Sequence, residues 1–92
     1  MRLHWTEPAV EDLKSICDYV GEHDSPIAAR RVALRIYDGL NSLLQFPRKG
    51  RPGRKPGTRE LIFSDLPWLA IYRIRENVIE VNRILHGAQR LP

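Results

Sequence analysis

The sequence predicts an α+β fold in the order β-α-α-β-β-β, with a two-helix hairpin packed on one face of a mainly antiparallel four-stranded sheet. Three observations carry this reading. Two adjacent stretches place apolar residues at helical spacing, and each is opened by a capping residue and a proline. A short alternating run precedes them, and three β-rich runs follow them. Strands are therefore segregated from helices after the first strand, which favours α+β over an alternating α/β arrangement.

The first strand is predicted over Arg2 to Trp5, where Leu3 and Trp5 alternate with Arg2 and His4 as one buried face requires. Thr6 suits an N-cap, Glu7 favours the positive end of a helix, and Pro8 costs nothing in a first turn that has no hydrogen bond to lose. Ala9, Leu13, Ile16, Cys17 and Val20 then recur along one helix face, and Gly21 offers a stop. Asp24-Ser25-Pro26 repeats the start signal. A stripe through Ala29, Val32, Ala33, Ile36, Leu40, Leu43 and Leu44 predicts a second helix running to about Gln45. Gly39 inside it fits either a close approach to the first helix or a tolerated glycine.

From Pro47 to Gly57 the chain is rich in proline, glycine and basic residues, which predicts a long exposed loop without regular structure. Strands are then expected over Thr58 to Phe63, Leu69 to Arg75 and Val78 to His86, with a tight turn at Glu76-Asn77. These spacings make two hairpins. The alternation through Ile79 and Val81 breaks before Ile84, so a bulge or strand end is expected there.

At 92 residues and 42% hydrophobic composition, one domain spanning residues 1–92 is expected. No apolar run approaches the roughly 20 residues needed to cross a bilayer, and Met1 to Thr6 lacks a signal peptide's apolar core. A cytoplasmic protein with no membrane association is therefore expected. Cys17 stands alone on an apolar stripe and reads as a core thiol. No ligand cluster at metal-binding spacing is visible, so neither metal nor cofactor is expected.

The net charge of +4 and a pI near 9.7 favour an anionic partner. The basicity is local. Arg48, Lys49, Arg51, Arg54, Lys55 and Arg59 lie together with no acid, giving this stretch +6 and leaving the rest of the chain at −2. The stretch reads either as a landing surface for nucleic acid, ribosome or an acidic protein segment, or as a solvated hairpin. It has no interleaved aromatics for stacking bases. Trp5, Trp68, Tyr19 and Tyr37 are expected to pack in the core or between helices, and His4 and His23 to lie at the surface.

The element order, with Gly50-Arg51-Pro52-Gly53, Gly57-Thr58-Arg59-Glu60-Leu61, Ile71-Tyr72-Arg73-Ile74 and Ile84-Leu85-His86-Gly87-Ala88-Gln89, resembles the RelE/ParE toxin superfamily over nearly the whole chain. The resemblance implies the toxin of a type II toxin–antitoxin pair, of the kind associated with plasmid stabilization and growth inhibition. It implies a cognate antitoxin whose helical or extended segment wraps the toxin. Two mechanisms exist in the superfamily. RelE-like members cleave messenger RNA on the ribosome, which demands a base, a cationic clamp and an acid. ParE-like members bind and inhibit DNA gyrase and demand no such set.

For a nuclease, the catalytic candidates are His86, Arg73 and Arg59. Histidine is the residue type suited to acid–base exchange, which makes His86 the candidate for that role, and two guanidinium groups on neighbouring strands could grip a phosphate on the open sheet face. The plainer readings are a hydrogen-bonded histidine, a solvated Arg73, and an Arg59 paired with Glu60 or with an acid of the antitoxin. Alternation also sets Arg73 on the side of Leu69 and Ile71, opposite Tyr72. Where nuclease relatives supply further basic residues and a C-terminal tyrosine, this chain reads Gly87-Ala88-Gln89-Arg90-Leu91-Pro92, so part of that set is expected to be missing. The reading therefore leans to a ParE-like gyrase inhibitor, with Arg48, Lys49, Arg51, Arg54, Lys55, Arg59 and Tyr72 as target- or partner-binding residues. A ribosome-dependent nuclease is the alternative and a non-toxic adaptor a third. Self-association without antitoxin is expected if an apolar groove is left open.

Overall fold

Thr6 ends the first strand and starts the first helix, and the local chemistry is the one its side chain dictates. Its hydroxyl accepts a hydrogen bond from the Ala9 N–H at 3.3 Å and donates to the Asn82 carbonyl at 2.9 Å. In the computed structural model, which describes residues 1–89, strand β1 spans Arg2–Trp5 and helix α1 spans Glu7–His23. Helix α2 spans Pro26–Asn41 and tightens into a 3-10 turn at Ser42–Leu44. Ser25 caps it by accepting from the Ala28 N–H at 3.0 Å. Helix α1 continues two residues past Gly21, because Pro26 and the extended Ser25 set the break rather than the glycine.

Strands β2 (Arg51–Pro52), β3 (Arg59–Ile62), β4 (Trp68–Arg75) and β5 (Val78–His86) complete the fold, with a 3-10 turn at Gly87–Gln89. The sheet order is β1-β5-β4-β3-β2; β1 runs parallel to β5 and every other pairing is antiparallel. The sheet thus has five strands where four were expected. The extra strand comes from the predicted structureless loop, whose Arg51-Pro52 pairs with Glu60 and Arg59. A proline is tolerated there because β2 is an edge.

Both helices lie on one face. Ala9, Ile16 and Val20 from α1 and Ile36 and Leu40 from α2 meet Leu61, Ala70, Tyr72, Ile79, Val81 and Ile84 from the sheet. Trp5 and Trp68 pack against this core, and Cys17 is half-buried. Tyr19 and Tyr37, by contrast, are 55% and 52% exposed. Each sits one position off its helix's buried stripe, beside Val20 and Ile36, so the helix turns it to solvent. Gly39 does allow a close approach, but the neighbour is Phe63 at the end of the sheet and not helix α1; a Cβ there would collide with the ring.

The expected break in β5 is a bulge at Asn82: Ile71 faces Arg83 while Tyr72 faces Val81. One extra residue restores the inward phase, so Val81 and Ile84 both reach the core. Beyond Trp5 the edge of β5 would be left open. Asp12 of α1 covers it, accepting from the Ile84 N–H at 2.9 Å and from the Arg83 Nε and Nη2 at 2.7 and 3.0 Å. The carboxylate in turn pushes the Arg83 pKa up, chiefly through this hydrogen bond.

Candidate functional site

Tyr72 has no exposed surface, so it is a support of the basic segment and not a contact residue. Its hydroxyl donates to the Pro47 carbonyl at 2.7 Å and accepts from the Gly50 N–H at 2.9 Å. Burial raises the phenol's pKa, against the opposing Gly50 hydrogen bond and the Arg59 charge, which keeps it a donor at neutral pH. From the neighbouring strand the Arg59 Nη1 donates to the carbonyls of Gly50 at 2.7 Å and Arg48 at 3.3 Å. Two strand side chains therefore grip three residues of the segment between the helices and the sheet. Gly50 is required by this grip: a Cβ would stand 2.7 Å from the Tyr72 oxygen and 2.9 Å from the Glu60 carbonyl.

What the grip displays is cationic. Arg48 and Lys49 are exposed, and the Lys49 Nζ has only the Ser42 hydroxyl, 3.3 Å away, as a side-chain partner among the described residues. Arg54 and Lys55 lie exposed at the tip of the β2–β3 hairpin, which is closed by the Gly53 N–H on the Thr58 carbonyl at 2.7 Å and by the Thr58 hydroxyl on the Lys55 carbonyl at 2.6 Å. Arg51 is partly spent. Its Nε lies 3.1 Å from an oxygen of the buried Glu60.

The sequence-based candidates for a nuclease do not converge. Arg59 stands directly across from Tyr72 and shares its helix-side face, whereas Arg73, the next residue of β4, points to the opposite face and stands across from Glu80. The two guanidinium groups cannot close on one phosphate. The expected Arg59–Glu60 pair is also excluded by alternation; Glu60 instead meets Arg51, its cross-strand partner. His86 stands across from Trp68, four residues along β4 from Tyr72, or about 13 Å at strand rise. Its ring packs edge-on to Trp68 at 6.3 Å, and its Nδ1 accepts from the Ala88 N–H at 3.1 Å. The tail that bore on the nuclease reading, Arg90-Leu91-Pro92, lies outside the described residues.

Sequence reasoning found the cations but missed the clamp. It assigned Arg59 to binding as part of the basic stretch from Arg48 to Arg59, and Tyr72 as the residue beside Arg73 in the run Ile71-Tyr72-Arg73-Ile74. The one signal that could have shown otherwise is alternation: Tyr72 falls on the same side as Ala70 and Ile74, the face that packs on the helices. Among the described residues no group of three or more His, Cys, Asp or Glu side chains could hold a metal ion, and no helix is long and apolar enough to cross a membrane.

Comparison with known proteins now bears on this geometry. Residues 3–91 match the family described as the ParE toxin of the type II toxin–antitoxin system, parDE. The Sinorhizobium fredii protein Y4kP is 41% identical over 99% of this chain and 93% of its own length. Toxin RelE2 of Caulobacter vibrioides is 36% identical over 92% of this chain and 93% of its own. A solved structure of the chromosomal ParDE toxin–antitoxin system from P. aeruginosa superposes with a TM-score of 0.88 at 31% identity, covering 94% of this chain and 95% of that one.

Proposed function

The chain belongs to the ParE toxin family of type II toxin–antitoxin systems, and from that premise we propose that it arrests growth in the cytoplasm by binding and inhibiting DNA gyrase, until a cognate antitoxin covers it. The observation that carries the gyrase reading is the clamped basic segment. Tyr72 and Arg59 hold Arg48 and Lys49 in one arrangement, and a paired hairpin carries Arg54 and Lys55 beyond them. A basic segment whose backbone is held in place suits inhibition by binding, since less ordering entropy is lost when a partner docks. The ParDE name of the structural neighbour supports an antitoxin as the second partner.

A ribosome-dependent messenger RNA nuclease is the second reading, favoured by the similarity to toxin RelE2. It asks for a base, an acid and a cationic clamp around one phosphate, and His86, Arg73 and Arg59 lie apart on two faces and at separate positions along the strands. Exposed Ile27, Leu34 and Tyr37 on α2 support self-association of the toxin when the antitoxin is missing.

The test is to add the purified protein to a gyrase supercoiling reaction and, in parallel, to ribosomes translating a defined transcript. Inhibited supercoiling that is weakened by Arg54→Glu with Lys55→Glu, with the transcript intact, is the expected result. Transcript cleavage with unaffected supercoiling would overturn it.

A further inference from the structure

A groove of about 630 Å³ runs beside the clamp, between the start of the chain and the segment that leaves α2. Met1, Phe46, Pro47 and Ile74 supply its apolar lining, and Arg48 and Lys49 contribute the cations. Phe46 is 56% exposed and Met1 47%, so large apolar side chains stand next to two cations. The groove is built in advance. The Phe46 N–H donates to the Ser42 carbonyl at 3.0 Å, the Lys49 N–H to the Phe46 carbonyl at 3.1 Å, and Tyr72 holds the Pro47 carbonyl.

We propose that this groove seats an apolar side chain of the antitoxin, with carboxylates on either side of that anchor meeting Arg48 and Lys49. The inference rests on the toxin–antitoxin reading above and names the place and chemistry of the contact. Charge complementarity selects the occupant. Neither Arg48 nor Lys49 has a carboxylate within ion-pair distance among the described residues, whereas Arg35, Arg51, Arg75 and Arg83 each have one. The apolar lining favours a protein segment over nucleic acid: Met1, Pro47 and Ile74 are aliphatic, and Phe46 is a single ring with no second one beside it on which successive bases could stack. The volume lies within the roughly 300 to 1,000 Å³ range of clefts that hold a drug-sized molecule, ample for an apolar side chain. An occupant here would cover Arg48 and Lys49 while leaving Arg54 and Lys55 at the hairpin tip uncovered, so neutralisation and target binding would share the first pair of cations and differ in the second.

Met1 is the only methionine in the chain, so a methyl-labelled sample gives one resonance that reports on this groove. The experiment titrates the full chain, labelled at its methionine methyl, with its cognate antitoxin and follows that resonance alongside complex formation by gel filtration. The expected result is a Met1 methyl shift that tracks the complex. Phe46→Ala and Lys49→Glu should each weaken the affinity by about tenfold or more, while Arg54→Glu changes it by less than about threefold. Phe46 is largely exposed, so unchanged melting temperatures are the control for folding. A complex that forms with the methyl resonance unmoved and both variants binding as well as the parent overturns this proposal and leaves the toxin–antitoxin reading standing. No complex at all overturns both. A single-stranded RNA 12-mer that shifts the resonance at the antitoxin's affinity overturns the choice of an acidic protein segment.

Discussion

Tyr72→Phe deletes one oxygen and leaves the ring in place, which isolates the clamp from core packing. The lost oxygen is bonded to the Gly50 N–H at 2.9 Å and the Pro47 carbonyl at 2.7 Å. Gly50 is buried and Pro47 is half-buried, so water can re-satisfy the carbonyl more easily than the amide. A buried donor left unpaired costs about 1 to 3 kcal/mol, and a hydrogen bond replaced by one to water about 1 kcal/mol. The sum is about 2 to 4 kcal/mol, a large share of the roughly 5 to 15 kcal/mol by which small domains are stable. For a chain of this length it corresponds to a fall in melting temperature of about 8 to 30 °C. Urea denaturation measures it directly, with an unchanged m-value expected because the surface buried on folding is the same. Arg59→Met acts on the same segment through the Arg48 and Gly50 carbonyls and shares Gly50 with Tyr72, so the double variant should lose less than the two single losses together, by about 0.5 kcal/mol or more. A Tyr72→Phe loss below about 0.5 kcal/mol, or full additivity with Arg59→Met, would refute the clamp.

Other consequences of the structure are open to measurement in the same way. Gly50→Ala must displace either the Tyr72 ring or the β3 backbone and should cost about 1 to 3 kcal/mol by thermal denaturation, a loss reduced when combined with Tyr72→Phe. Asp12→Ala strips the cover from the β5 edge and orphans the Ile84 N–H, for an expected 2 to 3 kcal/mol, roughly; Arg83→Met removes only a half-exposed ion-pair partner and should cost less than about 1 kcal/mol. The alkaline side of the stability curve should slope downward in two stages. Cys17 and Tyr72 both titrate higher in the folded chain than at their ordinary values of 9.0 and 10.0, chiefly through burial. The folded state therefore retains protons that the unfolded state releases, so the associated stability is present below the ordinary values and is lost as pH rises from 9.0 for Cys17, and from 10.0 for Tyr72, through the higher folded-state values. Urea midpoints between pH 7 and 11 should show the first stage vanish in Cys17→Ala and the second in Tyr72→Phe; slopes unchanged by those substitutions would contradict the assignment.

Most of the architecture is local in origin, and that is why the sequence by itself determined it. Thr6 and Ser25 satisfy donors three residues away, prolines 8 and 26 suit first turns, and apolar spacing decides which side of each helix is buried. Alternation likewise placed strands β3, β4 and β5 within a residue of their ends and foretold the irregularity before Ile84. The concentration of charge between Arg48 and Arg59 was equally legible, because composition needs no coordinates. Only the tertiary structure could decide what each of those charges does. Whether Arg59 grips a phosphate or two carbonyls depends on a segment that precedes it by about ten residues folding back across the sheet, and on Tyr72 arriving from the next strand. Glu60 chose Arg51 over its sequence neighbour because successive strand residues face opposite ways, while Arg51 became its partner only when a loop rich in proline and glycine added an edge strand. The groove beside the clamp is built from Met1, Phe46 and Ile74, residues from three distant parts of the chain. Pattern along a sequence reports the face on which a side chain lies; the partner it meets there is set by loop closure between distant segments, to which local periodicity is blind.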